Sequence, residues 1–555
     1  MVKRWTLPLL FLAFVIFYLL PLATHGLWMP DETRYAQISQ EMLLSGNWAA
    51  PHFMGLRYFE KPAVGYWMIA IGQAVFGHNL FGVRIASALS LGLSAVLAYL
   101  IARRLWNSPR KSLTCAVVYL SFGLVVGQAG YANLDPQFTL WVNLSIVALW
   151  YAIDSPTRRA KVTSWAVLGL ACGMGFMTKG FLALLLPVLV ALPYMIWQRR
   201  FNELVRYGYI AVLVAALISL PWVLTVQVRE PDFWRFFFWH EHIRRFAGDD
   251  AQHAEPWWFY GPLLMVSSLP WALLLPITFK QAWLNRKQTK TAFLLMWLCL
   301  PLAFLSLSNG KLPTYILPCM LPLALLLGDT LVNRLEQAKT LALRSNSALN
   351  LMLGMLALVA LIYMQLKQPI FNHEPLHMAL MITALAGWIL ANALLVSRPQ
   401  LFYLAPAVGM GLAVALLPAA LPDSIVQNKT PERFIAEHSQ ALRQTQSLMS
   451  NDLGAASALA WQTAHPDVTL YDAVGEAQYG LSYPDVKNRT VEKDNVQQWL
   501  AQARREGSVG VVMRVKNDGD ARELELLPKD ATRYEQGSVV ILVYAQNGAD
   551  HITMK

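Results

Sequence analysis

Long apolar runs recur along the first three quarters of the chain, broken by short polar stretches. A helix needs about 20 mostly apolar residues to cross the hydrocarbon core of a bilayer. That ruler picks out about 13 runs. Their cores are 5–22, 80–101, 113–126, 136–153, 164–177, 181–197 and 207–226, then 257–279, 291–307, 312–331, 351–366, 376–396 and 401–421. The runs around Cys115 and Cys172 are short for a span. Beyond 421 the pattern changes to polar and charged. There 431–449 reads as a helix opened by Thr430-Pro431-Glu432, and 495–505 as a second. Residues 468–471, 509–515 and 539–544 read as strands. The expected fold is mostly α: a polytopic membrane domain, 1–421, with a long first outer loop at 23–79, then a soluble α/β domain at 422–555. No fixed-period repeat is visible.

Lys and Arg fix the orientation. One set of ends carries Lys3 and Arg4, then Arg103, Arg104, Arg110 and Lys111, then Arg158, Arg159 and Lys161. The same set continues with Arg199, Arg200 and Arg206, with Lys280, Arg286, Lys287 and Lys290, with Arg334, Lys339 and Arg344, and with Arg398. These are alternate loops, so the positive-inside rule puts them in the cytoplasm and the C-terminus outside. Thr24-His25-Gly26-Leu27-Trp28 offers no small-residue cleavage site, so the first run reads as an uncleaved span.

Composition sharpens the picture. Of 555 residues, 56% are hydrophobic and 14% charged, against roughly 45–50% and 25% in a soluble chain. Mean hydropathy is +0.39. Disorder and fibre are excluded, and an ordinary cytosolic enzyme is disfavoured. Twenty Trp, 20 Tyr and 24 Phe suit the membrane–water boundary. The net charge of +11 comes largely from cations flanking apolar runs, so it reads as topology and lipid anchoring, not nucleic-acid binding. Cys115, Cys172, Cys299 and Cys319 all lie in apolar runs without metal spacing, as small fillers outside any disulfide.

Chemistry concentrates on the outer side. The first outer loop carries Met29-Pro30-Asp31-Glu32-Thr33-Arg34-Tyr35 and then Arg57-Tyr58-Phe59-Glu60-Lys61-Pro62. Later outer loops carry Asn133-Leu134-Asp135-Pro136, Trp239-His240-Glu241-His242-Ile243-Arg244-Arg245-Phe246 and Lys311-Leu312-Pro313-Thr314-Tyr315. The inner loops are short, basic and poor in acids. No phosphate-cradling GxxxxGK[ST] loop or dinucleotide fingerprint appears, and nucleotides are scarce outside a cytoplasmic membrane. A pre-activated donor delivered in the membrane is the natural alternative to a nucleotide cofactor.

Each cluster has a plain reading beside the chemical one. Asp31 and Glu32 are either a solvated loop face or, flanked by Trp28 and Tyr35, carboxylates acting as base, orienter or cation ligand. Asp135 either caps the next span or supplies a second active-site acid. Glu60 and Lys61 are either a surface pair or separately employed, Lys61 on a phosphate and Glu60 on a metal. His240-x-His242 is either structural or a metal site, where imidazole plus carboxylate suits Zn2+; His253 is a weaker third candidate. Arg244 and Arg245, among Phe236, Phe237, Phe238, Trp239 and Phe246, either snorkel or clamp a phosphate at the bilayer surface. Lys311 and Tyr315 add a cation and a hydroxyl.

Together these motifs resemble the GT-C membrane glycosyltransferases that use polyprenyl-phosphate sugars. Pro30-Asp31-Glu32-Thr33-Arg34-Tyr35, Phe59-Glu60-Lys61-Pro62 and Lys311-Leu312-Pro313-Thr314-Tyr315 look more closely like the lipid A aminoarabinose transferases. The similarity runs over essentially the whole chain. It implies transfer of 4-amino-4-deoxy-L-arabinose from undecaprenyl phosphate to a lipid A phosphate at the periplasmic face of the inner membrane, and resistance to polymyxin and cationic peptides. It implies Asp31 and Asp135 as catalytic acids, with Glu32 beside them. Lys61 and one of the arginines, Arg245 ahead of Arg244, match carrier-phosphate ligands, with Lys311 an added cation, in a pocket lined by Tyr35, Tyr58 and Tyr315. Glu60 with His240 or His242 matches a structural zinc site. The implied partners are the lipid-linked donor, lipid A and membrane lipids, with no nucleic acid, and the chain is expected to be a monomer.

The rival functions are a GT-C enzyme with another acceptor, such as a protein mannosyltransferase, a lipid flippase, and a receptor or scaffold. A protein hydroxyl acceptor demands a general base. A phosphate acceptor does so less, since its second pKa lies near 6. A transporter places ionisable residues at mid-membrane, whereas here they lie in outer loops.

Overall fold

A computed structural model describes residues 6–244, 253–486 and 488–547, the side chains of residues 6, 7 and 240–244 excepted. The chain divides into two compact units. One comprises 1–24, 60–68 and 84–420; the other comprises 25–59, 69–83 and 421–555. The expected division at 421 follows the sequence, whereas the second unit gathers much of the first outer loop with the C-terminal region.

Among the described residues, eight helices are long and apolar enough to cross a membrane, from Leu80–Trp106 to Pro375–Ser397. Three further spans are bent pairs of helices, beginning at Pro109, Tyr260 and Ala405. Two shorter apolar helices, Pro8–Ala23 and Leu182–Trp197, account for the remaining expected runs. The run around Cys115 is short because the helix Pro109–Ser121 breaks at Phe122 and restarts as Gly123–Ala129. The run around Cys172 belongs to a full helix, Arg158–Lys179, whose first turns are too charged to score as apolar. All four cysteines are free.

Burial sorts these helices. In the segment Pro313–Glu336, 89% of the apolar window is buried, against 17% in Phe201–Arg229. The first is a central helix. The second exposes Leu213, Leu217, Leu220 and Leu224, as a helix facing lipid does. Lipid tails are as apolar as leucine, so helices associate by close packing more than by hydrophobic burial. Gly169 and Gly173, four residues apart, therefore face Ala211 and Ala215 of the lipid-facing helix. A Cβ on Gly173 would come within 2.9 Å of the Ala215 carbonyl oxygen.

The second unit is built on a six-stranded sheet. Its strands are β3 (Ser447–Ser450), β4 (Val468–Tyr471), β5 (Thr490–Val491), β6 (Val509–Arg514), β7 (Thr532–Gln536) and β8 (Val539–Tyr544), in the order β5-β4-β3-β6-β8-β7. The first four are parallel; β8 runs antiparallel to β6, and β7 to β8. Alternate residues Val509, Val511 and Met513 join Val496, Leu500 and Ala503 of the helix Val496–Glu506 in one core. The expected helix over 431–449 is not continuous: helical turns at Glu432–Glu437 and Ser439–Arg443 precede β3. Leu448 and Met449 are taken into the sheet, between β4 and β6.

From residues 25–59, this unit receives helix α1 (Asp31–Ser45) and a small hairpin, β1 (His52–Phe53) with β2 (Leu56–Arg57). Helix α1 packs on α2 (Leu453–Thr463), where the Ser457 hydroxyl donates to the Thr33 hydroxyl at 2.8 Å.

Candidate active site

In the first unit, the anionic centre is Asp135. It opens the helix Asp135–Asp154, but Leu134 is the capping residue and makes no side-chain cap bond. The Asp135 carboxylate is instead ion-paired with Lys179. Lys179 ends the helix Arg158–Lys179, which stops at Gly180, whose positive φ (+85°) glycine adopts without a Cβ penalty. An acid at a helix N-terminus and a base at a helix C-terminus are each favoured by the helix dipole. The Lys179 ammonium also lies 4.6 Å from the centre of the Tyr315 ring, a cation–π distance. Asn133 stiffens the turn before Asp135, accepting its backbone N–H at 3.1 Å and donating to Gln128 at 2.7 Å. Asp135, Lys179 and Tyr315 thus form one buried-edge cluster.

Lys61 donates to the carbonyl oxygen of Glu60 at 2.9 Å, while the two side chains stand 4.0 Å apart. That is a loose pair, as expected for sequence neighbours. Lys311 is buried, and its ammonium donates to the carbonyl oxygens of Glu255, at 2.6 Å, and Ser308. Its own backbone N–H donates to the carbonyl of His253 at 3.0 Å. Lys311 therefore pins the segments around His253–Glu255 and Ser308 together, and the Tyr260 hydroxyl, donating to the Leu312 carbonyl at 3.3 Å, adds to that seam.

In the second unit, Asp31 and Glu32 open helix α1 and divide sharply in exposure. Glu32 is fully buried and its carboxylate accepts the backbone N–H of Trp28 at 2.9 Å. That bond ties the approach segment to the first helical turn. The Asp31 side chain is 45% exposed and accepts from Arg34 at 2.5 Å, one turn along. The other end of the Arg34 guanidinium is ion-paired with Glu476, between α2 and β5. The same Glu476 oxygen accepts the Tyr58 hydroxyl at 3.1 Å. The Tyr35 ring lies beside Arg34, 5.1 Å from ring centre to guanidinium carbon. Asp31, Arg34, Tyr35, Tyr58 and Glu476 are thereby joined by charge and hydrogen bonds, with Arg34 the central cation.

The side chains of His240, His242 and Arg244, and the whole of Arg245, lie outside the described residues. Three residues of these ion-paired clusters were not singled out from the sequence: Lys179, Arg34 and Glu476. Lys179 did leave a signal. It is the lone cation in the outer break between two apolar runs, where the orientation rule predicts few. Arg34 sits in the quoted motif without an assigned role. Glu476, in the polar C-terminal region, offered no local cue.

A model described as arabinosyl transferase ArnT, C-terminal domain, matches residues 426–543. One described as dolichyl-phosphate-mannose-protein mannosyltransferase matches residues 3–237. The chain is 65% identical, over 99% of its length and all of the relative's, to undecaprenyl phosphate-alpha-4-amino-4-deoxy-L-arabinose arabinosyl transferase 1 of Pseudomonas fluorescens strain Pf-5. It is 60% identical, over 98% of its length and all of the relative's, to the similarly named transferase of Pseudomonas aeruginosa strain UCBPP-PA14. The crystal structure of ArnT from Cupriavidus metallidurans bound to undecaprenyl phosphate shares the fold, with TM-score 0.81 and 23% identity over 98% of each chain.

Proposed function

The chain belongs to the undecaprenyl phosphate-alpha-4-amino-4-deoxy-L-arabinose arabinosyl transferases, and from that premise we propose its acceptor, its compartment and the roles of its residues. It is a polytopic membrane glycosyltransferase whose sugar donor is linked to a lipid phosphate. The acceptor is a phosphate of lipid A, and transfer occurs at the periplasmic face of the bacterial inner membrane. Capping that phosphate with an amino sugar lowers the negative charge of the finished lipid and so weakens binding of polymyxin and other cationic peptides. The observation that carries this reading is the full-length match to relatives of that name, at 60–65% identity.

In the reaction, an acceptor phosphate oxygen attacks the anomeric carbon of the sugar. The bond from that carbon to the undecaprenyl phosphate oxygen breaks, and its electron pair leaves with the carrier phosphate. Lys61 and Arg245 stabilise the charge that develops there. A fixed cation at about 4 Å is worth about 4 kcal/mol at an effective dielectric near 20, against about 1 kcal/mol in water. Asp31 and Asp135 act on the sugar side, steadying positive character at the anomeric carbon or holding the amine. Strong base catalysis is unnecessary because the acceptor is already ionised. Lys179 holds Asp135, and Arg34 holds Asp31, so each acid is oriented by its own cation. Glu32, bound to the Trp28 N–H, supports the turn that presents Asp31. Lys311 supports the segment that carries Tyr315.

Glu60 with His240 or His242 is assigned a structural zinc, a donor set that zinc accepts. Bound zinc would brace the phosphate end of the site, and no bond-making step is routed through it. Metal analysis of the purified protein should find zinc that Glu60→Ala loses; equal zinc in both rejects the ligand set.

The experiment that tests the function is an assay with synthetic aminoarabinosyl undecaprenyl phosphate and lipid A, read by mass spectrometry. A gain of one aminopentose on lipid A is expected. Transfer to a protein hydroxyl instead would favour a mannosyltransferase-like acceptor.

A further inference from the structure

The β1–β2 hairpin turns on two residues, Met54 and Gly55, both with positive φ (55° and 75°). This is the two-residue turn that suits the twist of paired strands. Gly55 adopts that conformation freely; Met54, with its Cβ, does so at a cost. Such backbone persists where its surroundings hold it. Here both polar groups at the centre of the turn are gripped. The Gly55 N–H donates to the Glu41 carboxylate at 2.9 Å, and the Met54 carbonyl accepts from the Arg489 guanidinium at 2.7 Å.

Each gripping group is itself anchored. Glu41 lies on α1 and accepts from Gln37 at 3.5 Å. Arg489, at the edge of β5, pairs with Asp467 at 2.8 Å and donates to the carbonyls of Pro466 and Val468 at 3.1 and 3.2 Å. The turn is therefore clamped between the helix that begins with Asp31 and the parallel edge of the sheet. The second strand of the hairpin ends at Arg57 and runs straight into Tyr58. The Tyr58 N–H donates to Pro51 at 3.0 Å and its hydroxyl to Glu476. Glu60 and Lys61 follow in the chain.

We infer that Glu41 and Arg489 are positioning residues for the transfer reaction: by gripping the Met54–Gly55 turn they set where Tyr58, next after the hairpin, meets the donor phosphate. This rests on the proposed role of Tyr58 as a phosphate-side residue. Neither Glu41 nor Arg489 is assigned a contact with substrate. The clamp is also sensitive to pH. Burial pushes the Glu41 carboxyl up to about 7, against the Gly55 N–H and the Arg489 charge, which pull it down. The charged groups around it are Arg489 and, behind that, Asp467. Burial thus makes folding favour the protonated acid, so the stability Glu41 gives the closed clamp is full below the ordinary 4.5 and is lost as pH rises to about 7, even though the ionised carboxylate accepts the Gly55 N–H more strongly.

The test combines hydrogen exchange of the hairpin amides with donor kinetics on the full-length protein in detergent. Arg489→Ala should speed exchange at 52–58 and raise the KM for aminoarabinosyl undecaprenyl phosphate about tenfold, leaving kcat within about threefold. Glu41→Gln retains an acceptor for Gly55 and should restore near-normal KM. It should also abolish the rise in hairpin exchange that the natural protein shows between about pH 5 and about pH 7, beyond the intrinsic chemical increase. Lys61→Ala is the control for the underlying reading. If Lys61→Ala raises the donor KM while Arg489→Ala loosens the hairpin without moving it, the positioning inference falls and the phosphate reading stands. If neither moves the donor KM, both fall. An unaltered exchange rate in Arg489→Ala overturns the clamp itself.

Discussion

The Lys179 ammonium is bound to the Asp135 carboxylate where two consecutive membrane helices meet end to start. Both side chains are largely buried, at 15% and 12% exposure. Removing one partner of such a pair leaves an uncompensated charge, at about 3–5 kcal/mol. Lys179→Met should therefore lower thermal stability in detergent markedly. Asp135→Asn with Lys179→Met should recover much of that loss but leave transfer abolished, because the acid is needed for chemistry. Transfer by the double variant at near the natural rate would dismiss Asp135 from the reaction.

Glu476 offers a second separation of structure from catalysis. It receives both the Arg34 guanidinium and the Tyr58 hydroxyl, and so joins the two candidate segments of the first outer loop. Glu476→Gln keeps an acceptor for Tyr58 and removes the charge that Arg34 balances. We expect kcat to drop by about 10–100-fold, with melting temperature shifted by only a few degrees. Activity and stability falling in proportion would reduce Glu476 to a purely structural tie.

These two relationships mark how far the sequence could be read. The membrane runs were legible because lipid imposes a single long-range rule on length and apolarity, and every expected run has a helical counterpart. Asp31 and Asp135 stood out because acids are rare beside such runs. Strands β4, β6 and β8 were visible as compact β-branched stretches. Strand β3 was not, since Ser447–Ser450 owes its conformation to β4 and β6, which arrive later in the chain. Arg34 and Glu476 escaped for the same reason: they are far apart in sequence and meet only in the folded unit. The split between buried Glu32 and half-exposed Asp31 is invisible in a dipeptide.

The C-terminal sheet carries its own pH dependence through Asp452. This residue caps α2, accepting the Ala455 N–H at 3.0 Å, and it pairs with Lys516 at 2.5 Å and Arg514 at 3.4 Å. Burial pushes its carboxyl up, but the Lys516 ammonium, the Ala455 N–H and Arg514 together hold it below the ordinary 3.8. A depressed acid pKa contributes stability above the unfolded-state value, and that contribution is lost as pH falls through the folded value. Asp452→Ala should thus destabilise the natural protein at pH 7, by about 1–2 kcal/mol for the cap alone. The gap should close below about pH 4. Denaturant unfolding followed at both pH values measures it; a gap that persists undiminished in acid assigns the effect to packing.

Helix association in the first unit makes the last prediction. The contact of Gly169 and Gly173 with Ala211 and Ala215 depends on the absence of side chains. A Cβ on Gly173 meets the Ala215 carbonyl at 2.9 Å and the Ile218 side chain at 3.2 Å, and backbone cannot move aside as a flexible side chain can. Gly173→Val should force the lipid-facing helix outward and cost about 1–3 kcal/mol, as overpacking does elsewhere. Gly127→Ala is the matched control, because a Cβ there meets nothing within 4 Å. It should be neutral or slightly stabilising, since alanine favours a helix over glycine by about 1 kcal/mol. Thermal unfolding in detergent compares the two. If Gly173→Val melts no lower than Gly127→Ala, close packing at this crossing does not hold the helices together.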